Sequence, residues 1–229
     1  MKYTYLLLNF FTILVPLLRS FEPKLHFYKK WKFYLPALAI TALFFLVWDY
    51  FKTKYGIWAF NEEYILGPKL GGLPIEEYLF FITVPYACTF IYEAVSYFIT
   101  KQLFPSVLRA VMYGLSLIAF VSSFFVYEQA YTFSVLFIWG LTFPLVLTQF
   151  SNQALDKFLL TFLISLVPMF VVNGLLTGLP VVVYNDLANS NIRIGTIPVE
   201  DFLYNAILLA MNIGLYEWFK RKYKKRLNC

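Results

Sequence analysis

Seven stretches of this chain are apolar over close to the length that a lipid bilayer demands: roughly residues 3–18, 33–51, 73–98, 107–127, 131–148, 158–176 and 198–219. A helical span needs about 20 mostly apolar residues, or about 17 at the short end. The predicted class is therefore an all-α integral membrane protein with seven transmembrane helices. Bulk composition agrees, since 60% of residues are hydrophobic, 14% are charged and the mean hydropathy is +0.66, well outside the range of soluble domains. The first stretch is short and holds Pro16. A secretory signal is a poor reading of it, because Arg19, Phe21 and Glu22 stand where a small-residue cleavage site belongs.

Basic residues set the expected orientation. Arg19, Lys24, Lys29, Lys30 and Lys32 follow the first stretch, and Lys220, Arg221, Lys222, Lys224, Lys225 and Arg226 follow the last. The connections near Lys101 to Arg109 and at Lys157 fall on the same side. The opposite side holds Glu62, Glu63, Glu128 and Asp186 against Lys52, Lys54, Lys69 and Arg193. The positive-inside rule then puts the N-terminus outside and the C-terminus in the cytoplasm of an integral cell-membrane protein. A net charge of +6 is explained by anchoring to anionic headgroups in the bilayer, with no nucleic acid required. Cys88, within an apolar stretch, and Cys229, terminal, make neither a metal site nor a disulfide frame. The single histidine, His26, lies in a basic connection and reads as a solvated loop residue, so no metal is expected.

One acidic signature occurs twice. Gly71-Gly72-Leu73-Pro74-Ile75-Glu76-Glu77-Tyr78-Leu79 answers to Gly195-Thr196-Ile197-Pro198-Val199-Glu200-Asp201-Phe202-Leu203. The register runs on to Tyr92-Glu93 and Tyr216-Glu217, and back to Asn61-Glu62 and Asn185-Asp186, Thr53 and Thr177, and Asp49 and Asn173. This periodicity predicts a parallel 3+1+3 internal repeat within a single membrane domain. Repeat one covers about 1–100, a connector helix about 107–127, and repeat two about 128–220.

Carboxyl pairs opening apolar helices are costly in lipid and mark an intramembrane site. Pro74 and Pro198 are expected in the first helical turn, which puts Glu76 and Glu200 third and Glu77 and Asp201 fourth. Acids there also complement the helix dipole, a purely structural role. Their duplication favours chemistry, and a carboxyl pair held away from water can divide into one acid and one base. Asp49 and Asn173 end their helices at the same depth, with Thr53 and Thr177 as hydrogen-bonding support. Glu93 and Glu217 lie about 25 Å further along their helices and are expected to pair with Arg109 or the Lys220 cluster. Aromatic residues reach 21%, and Phe80 and Tyr204 follow the acids closely enough to face a developing cation, although ordinary packing explains most rings.

At these residues the chain resembles the membrane-integral lycopene cyclases found as paired small subunits or as a fused domain. The resemblance rests on Phe45-Leu46-Val47-Trp48-Asp49, Gly56-Ile57-Trp58, Leu73 to Phe81, Tyr92-Glu93, Asn173, Thr177, Pro198-Val199-Glu200-Asp201 and Tyr216-Glu217. It covers about residues 1–220, as a fusion of the two subunits would. It implies redox-neutral cyclisation of the ends of linear lycopene, or a related linear carotenoid, to β-ionone rings through a carbocation, giving gamma- or beta-carotene. Glu76, Glu77, Glu200 and Asp201 would be the catalytic set, and Asp49, Thr53, Asn173, Thr177, Phe80 and Tyr204 would surround the substrate. Association with other carotenoid enzymes is implied as well. No cofactor is expected, since no G-x-G-x-x-G follows a strand. The competing readings are a small-solute or proton-coupled transporter, which the same repeat plan would serve, and a structural subunit of a pigment complex.

Overall fold

The computed structural model describes residues 1–227, so Cys229 lies outside it. Seven α-helices account for most of these residues: α1 (Thr4–Arg19), α2 (Trp31–Lys54), α3 (Ile75–Phe98), α4 (Val107–Ser123), α5 (Ala130–Leu147), α6 (Asn152–Gly178) and α7 (Val199–Leu227). Four are long and apolar enough to cross a bilayer, namely α2 with the 3-10 turn before it, α3, α5 and α6. The helices α1 and α4 are apolar but have only 16 and 17 residues, while Asn205, Asn212 and Glu217 interrupt the apolar run of α7. By length and composition, four of the seven expected spans meet the requirement on their own. The sixth helix starts six residues before its apolar run, because Ser151 caps it by accepting the Ala154 N–H at 3.2 Å.

Six very short strands join these helices: β1 (Trp58–Phe60), β2 (Lys69–Leu70), β3 (Leu73–Pro74), β4 (Val182–Tyr184), β5 (Arg193–Ile194) and β6 (Ile197–Pro198). Each strand from β4 onward, and the start of α7, comes 124 residues after its counterpart in β1 to β3 and α3. Gly71 and Gly72 turn the β2–β3 hairpin at φ +58° and +82°, and Gly195 turns β5–β6 at φ +66°, conformations in which a Cβ would be strained. These hairpins correct the predicted helix starts. Pro74 is held extended (ψ 153°) in β3 and serves as the N-cap of α3. Glu76 is therefore the second helical residue and Glu77 the third, as are Glu200 and Asp201 in α7.

Strands β1 and β4 pair antiparallel with Ala59 opposite Val183. Beyond the strands, Asn61 N–H donates to the Val181 carbonyl at 3.0 Å and Asn185 N–H to the Ile57 carbonyl at 2.9 Å. This ribbon lies at the end of the bundle where the N-termini of α1, α3, α5 and α7 meet the C-termini of α2 and α6. Helix α1 packs on α3 and α6 on α3, while α5 and α2 both pack on α7, and α3 touches α7 at the centre. Helix α4 packs against α5. It comes so close that a Cβ at Gly140 would sit 2.5 Å from Phe120 Cβ. Aromatic side chains dominate the interior, with Phe45, Phe81, Tyr92 and Tyr216 fully enclosed.

Candidate active site

Adjacent residues on a helix point about 100° apart, so the two acids of each pair cannot serve the same space. Glu76 and Glu200 turn toward the connections. Glu76 Oε1 accepts the Leu66 N–H at 2.6 Å, and Glu200 Oε1 accepts the Ser190 N–H at 2.8 Å and the Thr132 hydroxyl at 2.6 Å. Both are buried, and the second oxygen of each has no hydrogen-bond partner. Glu77 and Asp201 turn inward, toward each other across the interface of α3 and α7.

The inward acids are held by phenols. Tyr5 of α1 donates to Glu77 Oε2 at 2.5 Å. Tyr131 of α5 donates to Asp201 Oδ1 at 2.6 Å, and Tyr184 of β4 and Asn173 of α6 donate to Asp201 Oδ2 at 2.9 and 3.2 Å. Asp49, near the end of α2, borders the same cavity as Glu77 and accepts from Tyr204 at 2.8 Å. Three carboxyls thus converge from three helices, and each is at most 5% exposed.

Lys52 balances part of this charge. Its ammonium is 3.5 Å from Asp49 Oδ1 and buried, but makes no hydrogen bond. Four aromatic faces surround it instead, with Nζ 3.8 Å from the ring centroids of Trp48 and Tyr204, 4.3 Å from Trp58 and 4.7 Å from Tyr131. A desolvated cation gains about 2 kcal/mol or more from such a face, which offsets some of the cost of burying it.

The carboxyls close one end of a narrow cavity of about 90 Å³ between α1, α3, α6 and α7. Tyr5, Trp58, Phe60, Phe80, Tyr184 and Tyr204 surround the acidic end, and Val84, Ala87, Cys88, Ile91, Met169, Val172 and Leu208 line the remainder. From Glu77 to Ile91 the wall of α3 runs about 21 Å at about 1.5 Å per residue. Asn205 also lines the cavity, with its Nδ2 buried and unpartnered. Among the described residues no cluster of three His, Cys, Asp or Glu has metal-binding spacing.

Of the residues predicted from sequence, Glu77, Asp201, Asp49, Asn173, Phe80 and Tyr204 border this cavity, while Glu76, Glu200, Thr53 and Thr177 do not. Thr53 accepts the Trp58 indole N–H at 3.1 Å, and Thr177 donates to the Asn173 carbonyl at 2.8 Å and meets Thr196 at 2.6 Å. Both threonines therefore brace the walls. Tyr5, Tyr131, Tyr184, Trp58 and Lys52 went unpredicted. Lys52 carried a usable signal, a second ionisable group one turn after Asp49 in an apolar helix. The tyrosines carried none among 18 of their kind.

Glu93 and Glu217 form a separate network beyond the far end of the cavity. Glu93 pairs with Lys30 and with Lys220 at 3.3 Å and accepts from Tyr216 at 2.6 Å, while Glu217 pairs with Lys220 at 2.7 Å and accepts from Tyr92. Of the two partners expected from sequence, Lys220 is engaged and Arg109 is not. That guanidinium donates to the carbonyls of Leu147 and Phe150 and to Asn152, tying α4 to the turn between α5 and α6. In the exposed connections, the Arg193 hydrogen bond holds the Asp186 carboxyl below the ordinary carboxylate range, and Lys69 does the same for Glu62.

Chemically, the site offers proton donors and acceptors at the closed end of an apolar space. The sequence profile described as lycopene cyclase matches residues 2–95 and 128–219. A bifunctional lycopene cyclase/phytoene synthase of Pyrenophora tritici-repentis is 36% identical over 84 residues, covering 37% of this chain and 14% of that protein. One of the same description from Neurospora crassa is 37% identical over 59 residues, covering 26% and 10%. The aligned part thus spans about one seventh or less of these curated relatives. No solved structure matches the chain.

Proposed function

Because this chain belongs to the lycopene cyclase family, we propose that its carboxyl-ended cavity cyclises the ends of a linear carotenoid such as lycopene by acid–base catalysis. The observation that carries the reading is the meeting of Glu77, Asp49 and Asp201 at the closed end of a mostly apolar cavity. A hydrocarbon offers nothing to grip except shape and its double bonds, which suits walls of Val84, Ala87, Met169 and Leu208. A transporter for polar solutes would need polar groups through the full depth of such a wall.

In the proposed sequence, a carboxylic acid protonates the terminal double bond and leaves a tertiary carbocation. An internal double bond attacks that carbon, a ring bond forms, and the charge moves within the new ring. Loss of a proton from the ring to a carboxylate restores neutrality, so one proton enters, one leaves and no redox change occurs. Asp49 and Glu77 line the same buried end of the cavity, where two anions repel, so in this reading one of them carries the proton and supplies the donor. Asp201, which accepts three hydrogen bonds, takes the role of base. The faces of Tyr184, Trp58 and Phe80 stabilise the cation between these steps. Glu76 and Glu200, first taken with the catalytic set, instead hold the connections that roof the site.

The same reading includes seven crossings arranged as a 3+1+3 duplication, with the acidic end toward the outside and the C-terminus in the cytoplasm. The identical 124-residue spacing of strands and helix starts supports the duplication. Since the relatives named above join a cyclase with a phytoene synthase, association with other carotenoid enzymes at the bilayer belongs to the proposal too. Expression in a lycopene-accumulating bacterium, followed by chromatography of the pigments, tests it. Cyclised carotenoid is expected, and unchanged lycopene beside well-inserted protein would refute the reading.

A further inference from the structure

The two halves of the bundle are built alike around their acids but filled differently. Helix α6 borders the cavity with Met169, Val172 and Leu176. The residues 124 positions earlier on α2 are Phe45, Trp48 and Lys52. On the partner helices, α7 presents Asn205 to the cavity, and the corresponding residue of α3 is Phe81. Each of these four exchanges puts a larger or charged side chain into the α2–α7 half.

Those side chains occupy the space that would otherwise mirror the cavity. Phe45 and Phe81 are fully buried, with ring centroids 5.7 Å apart. Phe45 meets Tyr204 edge-on at 5.0 Å, Trp48 lies 5.0 Å from the same ring, and the Lys52 ammonium sits 3.8 Å from both Trp48 and Tyr204. Interiors packed this tightly admit no further chain, because added volume forces side chains off their rotamers.

We infer that the polyene binds in the acid-ended cavity on the α3–α6 side alone, the space that the internal repeat places opposite it being plugged by Phe45, Trp48, Lys52 and Phe81. The consequence, which rests on the cyclase reading, is that the two ends of a symmetric carotenoid react in separate binding events. With about 21 Å of wall and one acidic end, the cavity takes one end of an extended polyene. The other end must leave and turn before it can react. The monocyclic compound is thus a released product rather than a bound intermediate. Met169 and Val172 become the specificity-determining positions of the open side.

The test uses the purified full-length chain in lipid vesicles, in a Cys229→Ser background so that Cys88 in the cavity wall is the remaining thiol. Added lycopene is expected to protect Cys88 from a small maleimide and to saturate at one polyene per chain. Val172→Trp and Met169→Phe are expected to abolish that protection and to lower cyclisation at least about 100-fold, as expected for a misplaced substrate. Circular dichroism should remain that of the parent. In a time course, free monocyclic carotenoid should precede any bicyclic product and be diverted by excess lycopene. Two bound polyenes per chain, protection that persists in both filled variants, or bicyclic product from the first turnover would overturn the inference. Saturation at one polyene with no cyclised product would instead sink the cyclase reading and leave the single cavity standing.

Discussion

Exchanging each of the four paired acids for its amide separates a proton-transfer role from a scaffolding one, because neighbours on one helix turn receive the same chemical change. In Glu77→Gln the amide oxygen can still accept from Tyr5, and in Glu76→Gln it can still accept the Leu66 N–H. Each loses the charge-assisted part of one buried hydrogen bond, about 1 kcal/mol of stability. The effects on rate diverge. A general acid or base contributes about 10²–10⁴-fold, which is about 3–5 kcal/mol of barrier at about 1.36 kcal/mol per tenfold. Glu77→Gln and Asp201→Asn should therefore lower the cyclisation rate by about 10²-fold or more. Glu76→Gln and Glu200→Gln should stay within about tenfold of the parent. The assay is pigment formation per inserted protein in a lycopene-accumulating strain, with protein quantified by a fluorescent C-terminal fusion. Equal losses in the inward and connection-facing pairs, or larger losses at Glu76 and Glu200, would refute the division of roles.

Two further outcomes concern stability. Lys52→Met leaves Asp49 without its cation in a buried setting and should cost about 3–5 kcal/mol, partly recovered by adding Asp49→Asn, as read from thermal unfolding in detergent. Gly140→Ala drives a methyl group into Phe120 and should destabilise the docking of α4 by about 1–3 kcal/mol, whereas Gly114→Ala, whose Cβ meets nothing within 4 Å in the middle of α4, should stabilise by about 0.5–1 kcal/mol in the same measurement.

Hydropathy alone located every helix end to within four residues except the start of α6 and the end of α7, which runs on through the basic residues after Phe219, because an apolar run must end where lipid or core ends. The larger errors have local causes. A serine cap drew α6 back to Asn152, and a tight hairpin kept Pro74 and Pro198 out of the helices they precede. The spacing of Glu76-Glu77 and Glu200-Asp201 marked the right turns but not which acid faces inward, since that depends on how α3 and α7 are rotated against α1, α5 and α6. Tyr5 and Tyr131 reach equivalent acids from positions 126 residues apart, two more than the spacing of the acids themselves, so an ungapped comparison passes over them. Lys52 looked like an outer loop charge until its four rings were in place.

The ribbon formed by β1 and β4 joins the two halves through main-chain atoms, with Trp58 opposite Tyr184 and Phe60 opposite Val182. Backbone pairing of this kind makes few demands on side-chain identity, so it keeps the halves aligned while their interiors diverge. One half can stay hollow and the other turn solid without the seam between them slipping. A cut in the link between α3 and α4 would leave that seam whole, and two separately made pieces would carry the means to find their register.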